Sequence, residues 1–111
     1  MKIFEFKKYS NSQGKRELHV IEDASIITFE ELIEVINTVI QPDNVDKTQI
    51  TSWTESFTFQ KNGISVYVEY FYDSDPYYSF ELHPLRANHN EEDKQKLLQI
   101  INQLDEFLDK K

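Results

Sequence analysis

Asn62-Gly63 separates two runs in which large apolar residues alternate with polar ones, Phe57-Thr58-Phe59-Gln60-Lys61 and Ile64-Ser65-Val66-Tyr67-Val68. Asn and Gly tolerate the positive φ angles that a two-residue type I′ loop needs at both positions, so the pair predicts a hairpin and fixes its register. Lys61 then faces Ile64, Phe59 faces Val66, Phe57 faces Val68, Glu55 faces Tyr70 and Trp53 faces Tyr72. One face collects the large apolar side chains. The other carries Thr54, Ser56, Thr58, Gln60, Ser65, Tyr67, Glu69 and Phe71.

A third strand follows the turn around Asp73-Ser74-Asp75-Pro76, where Asp favours turn starts and Pro fixes φ. Parity decides its facing. A two-residue loop would send Phe80 and Leu82 to the wetter face, whereas a loop of Ser74, Asp75 and Pro76 pairs Tyr72 with Tyr78, Tyr70 with Phe80 and Val68 with Leu82. The odd loop keeps the apolar set together, and it places Glu69 directly opposite Glu81. Like charges facing each other across a ladder are destabilising, so this pair is either screened by solvent or kept for a cationic partner.

Upstream, Ile3 to Tyr9 and Glu17 to Ile21 read as a first hairpin joined by a longer polar loop at Ser10-Asn11-Ser12-Gln13-Gly14, with Phe4 and Phe6 on the core face and His19 near an edge. Thr28 to Ile40 is the clearest helix. Thr28 and Glu31 have capping-box spacing, and Phe29, Leu32, Ile33, Val35, Ile36, Val39 and Ile40 form a wide apolar stripe that Pro42 terminates. Gln41 to Ser52 is a polar connection with no readable structure. Asn90 caps a last helix running to about Leu108, with Glu91, Glu92 and Asp93 in its first turn and Lys110 and Lys111 at its end. Two apolar helical stripes and one apolar sheet face are complementary. Residues 1–111 are therefore expected to form a single α+β domain, a two-layer sandwich whose antiparallel sheet of about five strands carries two helices on one face, in the order ββαβββα. The other sheet face is left to solvent.

Composition narrows the chemistry. The 111 residues contain no cysteine, which excludes a disulfide scaffold and thiolate catalysis and suits a reducing cytoplasm. No basic-then-apolar leader and no apolar run of membrane length occur, so a cytoplasmic protein is expected. The net charge is −8, while residues 1–16 hold Lys2, Lys7, Lys8, Lys15 and Arg16 against Glu5 alone. The rest of the surface is strongly acidic; it repels phosphate backbones and attracts cationic partners. Nucleic acid is thus disfavoured as a partner.

Two glycines in separate turns cannot cradle a phosphate, and no serine sits in a Gly-x-Ser-x-Gly elbow. The best enzyme-like grouping is a metal site from Glu81, His83, His89 and Glu92. Imidazole and carboxylate would suit zinc or another divalent ion, although the spacing matches no strong ligand pattern. Asp73-Ser74-Asp75 reads as turn chemistry. Glu69 and Glu81 on an open face have nothing to desolvate them or to separate their pKa values as acid and base.

Tyr67, Phe71 and Tyr77 beside Glu69, Glu81 and Glu55 make an amphipathic patch of the kind found at interface centres. The sequence therefore predicts no enzyme and no cofactor but a bacterial immunity-type or toxin-inhibitor protein. Such a small acidic module would sequester a basic protein, for example a toxin nuclease, through this patch. A metal- or ligand-binding protein built on Glu81, His83, His89 and Glu92 is the alternative, and a structural adaptor subunit a further one. Homodimerisation through the patch is a sub-case that Glu69 against Glu81, met twice over, would oppose.

Overall fold

The computed structural model describes residues 2–12, 14–72, 74–85 and 87–110. The first hairpin pairs β1 (Phe4–Asn11) with β2 (Gly14–Ile21), in register from Phe4↔Ile21 to Asn11↔Gly14. The connection is thus shorter than the polar cluster suggested: Ser10 and Asn11 belong to the strand, whose last pair is Asn11↔Gly14. Gln13, Asp73, Arg86 and Lys111, which the turn, loop and helix-end readings included, lie outside the described residues.

A 3-10 turn at Ala24–Ile26 leads into α1 (Phe29–Val35). Both arms of the expected capping box form: the Glu31 amide donates to Thr28 Oγ1 at 3.1 Å and the Thr28 amide to Glu31 Oε1 at 3.2 Å. The helix winds on as a π-helical turn, Ile36–Ile40, and stops at Gln41, whose φ of 55° is left-handed. Phe29 packs edge-on to Phe57 and stacks on Tyr70. That contact seats α1 over the β4–β5 hairpin (Thr54–Lys61 and Ile64–Phe71).

The stretch that could not be read, Gln41 to Ser52, contains a strand, β3 (Asn44–Ile50), so among the described residues the sheet has six strands rather than about five. β3 is an edge strand bulged between Asp46 and Gln49. Val45 packs on the core, whereas Ile50 is exposed. Edge strands of this polar, bulged kind resist pairing with other chains, and for the same reason lack the alternation by which a strand is recognised.

The β4–β5 register is the one Asn62-Gly63 predicts, with positive φ at both turn residues. The Tyr72 amide donates to the Trp53 carbonyl at 2.9 Å, but the Trp53 side chain is exposed and takes no part in the apolar face. β6 (Tyr77–His83) corrects the second turn. Tyr70 faces Tyr78, Val68 faces Phe80 and Val66 faces Leu82, two residues away from the expected register. A slip of two preserves every face, so the parity argument survives while the pairs change. The gain is visible at Tyr78. Its ring stacks on Tyr70 at 4.8 Å, and its buried hydroxyl donates to the Ile27 carbonyl at 2.6 Å.

β6 also pairs with β2, through His19↔Phe80, Val20↔Ser79 and Ile21↔Tyr78, giving the order β1-β2-β6-β5-β4-β3. α2 (Glu91–Asp109) begins at Asn90, whose Oδ1 accepts from the Asp93 amide at 2.8 Å. Its Leu97, Ile100, Ile101, Leu104 and Leu108 complete a core with α1 and the apolar faces of β4, β5 and β6. The fold is thus α+β, an antiparallel sheet with helices on one face. Among the described residues no helix is long and apolar enough to cross a membrane.

Candidate protein-binding face

Among the described residues no helix lies on the sheet face opposite α1 and α2. Alternation brings Arg16 (β2), Tyr77 and Glu81 (β6), Tyr67, Glu69 and Phe71 (β5) and Ser56 (β4) to that face. Five of the six residues singled out in the sequence are therefore gathered there. Glu55 is not. It pairs with Tyr70 on the helix side, where burial first, and then the hydrogen bond with the Glu55 carboxylate, push the Tyr72 phenol up to about 12.

The two remaining carboxylates have different surroundings. With the shifted register Glu81 faces Tyr67, and Glu69 faces Ser79, so the two glutamates are no longer opposed. Glu81 is buried and held by a fork of hydrogen bonds from Arg16: Nη2 to Oε1 at 2.5 Å and Nε to Oε2 at 3.2 Å. A guanidinium suits this two-pronged grip, and the carboxylate in turn strengthens the hold of Arg16 on its proton. Arg16 was overlooked because the order of strands, and with it the adjacency of β2 and β6, is not written in any local pattern.

Glu69 is half-buried and makes no ion pair among the described residues. Its Oε2 accepts from the Tyr67 hydroxyl at 2.8 Å, and Ser56 in turn bonds that hydroxyl. Burial first, and the Glu69 charge with it, raise the pKa of the Tyr67 and Tyr77 phenols, so both remain neutral donors. Phe71 and Tyr77 face each other across the ladder and stack at 4.5 Å with their planes 19° apart. The result is a stacked aromatic pair next to a carboxylate hydrogen-bonded by Tyr67.

The grouping considered for a metal does not assemble. Glu81 is committed to Arg16, and His89 Nε2 is 2.9 Å from the Pro84 carbonyl, on the loop before α2. Among the described residues no three His, Cys, Asp or Glu side chains are placed to share a metal ion. No protein-family model, curated protein or solved structure matches this chain.

Proposed function

We propose that this protein is a non-enzymatic binding module that sequesters a basic protein through the open sheet face, as a cytoplasmic immunity or inhibitor protein restrains a toxin such as a nuclease. One observation carries the reading: Glu69 lies on an uncovered sheet face, aligned by Tyr67, unpaired with any cation among the described residues, and flanked by the Phe71–Tyr77 stack. Tyrosines and a preset carboxylate form a suitable seat for a lysine or arginine, and a net charge of −8 draws a basic partner from a distance. Glu81 stands beside Tyr67 on the same face, with Arg16 as its cation. Glu55 has no part in the contact.

The test uses the tagged chain, Glu69→Lys and Phe71→Ala, each of confirmed fold, to capture partners from the native lysate, followed by kinetics with the purified partner. The expected partner is basic, is lost with both variants, and associates at a rate that falls steeply as salt rises. A partner that binds Glu69→Lys as tightly as the parent, or at a rate indifferent to salt, overturns the reading.

A further inference from the structure

Two helices packed about 10 Å apart cannot cover six strands spaced about 4.8 Å apart. α1 lies over β4 and β5 and α2 over β5 and β6, so the core reaches Phe4 and Ile21 of the first hairpin but leaves Phe6 exposed. Between that hairpin and α2 runs a groove of about 820 Å³. Its lining joins the apolar Phe6, Leu98 and Ile101 to the Arg16–Glu81 pair of the candidate protein-binding face.

His19 interrupts this apolar wall. It is only 8% exposed, its ring packs against Phe6 at 4.9 Å, and among the described residues it makes no hydrogen bond. Its ring nitrogens are not among the buried polar atoms left without a partner, so they reach the groove, where an entering ligand can take the place of solvent.

The charges around the groove are unlike those of the protein as a whole. Its acids are engaged: Glu17 and Glu91 with Lys94, at 2.8 and 3.6 Å, and Asp105 with the amides of Ile3 and Phe4. Lys2, Lys8 and Lys15 also line it, and none makes an ion pair among the described residues. Lys8 stands 5.8 Å from the centre of the Phe6 ring, so a cation borders the apolar stretch directly. The unanswered charge in this groove is positive, on a chain whose net charge is −8.

We propose that the groove binds an amphipathic organic anion, a free carboxylic acid with a long apolar body. Lys8 meets the acid group, the body lies along Phe6, Leu98 and Ile101, and His19 supplies a polar contact within the wall. The volume is in the usual range of small-molecule sites, roughly 300–1,000 Å³. A recess between two elements suits a single molecule better than a flat surface.

The probe is sodium dodecanoate below its micellar concentration, titrated into the isotopically labelled full chain and followed by NMR. Binding is expected to saturate at one molecule per chain, with shifts concentrated at Phe6, Lys8, His19 and Leu98. Lys8→Glu weakens it by about tenfold or more, as loss of a charge-assisted contact does. Leu98→Trp, which fills the groove from an exposed helix position, abolishes it, and Lys61→Glu, elsewhere on the surface, leaves it unchanged. Dodecyltrimethylammonium binds more weakly than dodecanoate despite the acidity of the chain. No saturable shift, shifts centred on Tyr67 and Phe71, or equal binding of the cation overturns the proposal. So does a glutamate-rich amphipathic peptide that perturbs the groove while dodecanoate does not, which would assign the groove to a protein partner.

Discussion

Arg16 reaches across the β2–β6 seam and grips Glu81 with two nitrogens, and the two side chains differ sharply in exposure, 27% against 6%. Removing one partner therefore does not cost the same as removing the other. Arg16→Met strands a buried carboxylate and is expected to destabilise the fold by about 3 kcal/mol. Glu81→Gln leaves an arginine that can still turn to water, and costs about 1–2 kcal/mol. Arg16→Met with Glu81→Leu restores stability toward that of the parent, because a matched apolar pair replaces the ions. Urea unfolding midpoints at unchanged slope measure all three.

Gly63 has a φ of +81°, and a Cβ built there meets nothing nearer than the tip of Lys96 at 4.0 Å. Space is available, so the penalty for a side chain is purely conformational. Gly63→Ala should lower stability by about 1 kcal/mol without changing the sheet, the ordinary cost of left-handed backbone in an L-residue. Denaturant midpoints give the loss, and unchanged amide shifts outside the turn confirm the register.

His19 links stability to pH. Burial lowers its pKa, opposed by the charge of Glu17; Lys8 and Glu17 of the hairpin and Lys94 and Asp105 of α2 line the groove around it. The native state then binds fewer protons than the unfolded chain near the ordinary histidine value of about 6.5, so stability rises with pH through that region. The contribution of neutral His19 is present above about pH 6.5 and is lost as pH falls through the lower folded value. His19→Phe should flatten the dependence in that window. The carboxylate of Glu17, held low by Lys94, gives way only at more acid pH, so the two losses separate in a series of unfolding curves.

How much of this was legible in the sequence depends on the distance over which each signal acts. Asn62-Gly63 and the Thr28–Glu31 box are local, and the structure keeps both. Parity placed the side chains of β6 on the correct faces, but it is blind to slips of two. The stacking of Tyr78 on Tyr70 and its bond to Ile27, which select the register, join residues from separate elements. β3 escaped notice because an edge strand needs little apolar alternation. On the candidate face Tyr67, Glu69, Phe71 and Tyr77 were readable from one hairpin and its neighbour. The fate of Glu81 was not, since Arg16 lies 65 residues away in the chain.

Among the described residues the β2–β6 seam is the only contact in the sheet between strands that do not follow one another, and it consists of three residue pairs. β3 to β6 can zip by successive short closures, whereas Ile21 meets Tyr78 only after everything between them has been looped out. On the ribosome, the basic first hairpin therefore emerges long before the strand it docks against, with Val20, Ile21 and Phe4 uncovered until β6 is synthesised. Arg16 waits as long for its partner, because Glu81 is made 65 residues later and closes the seam with it.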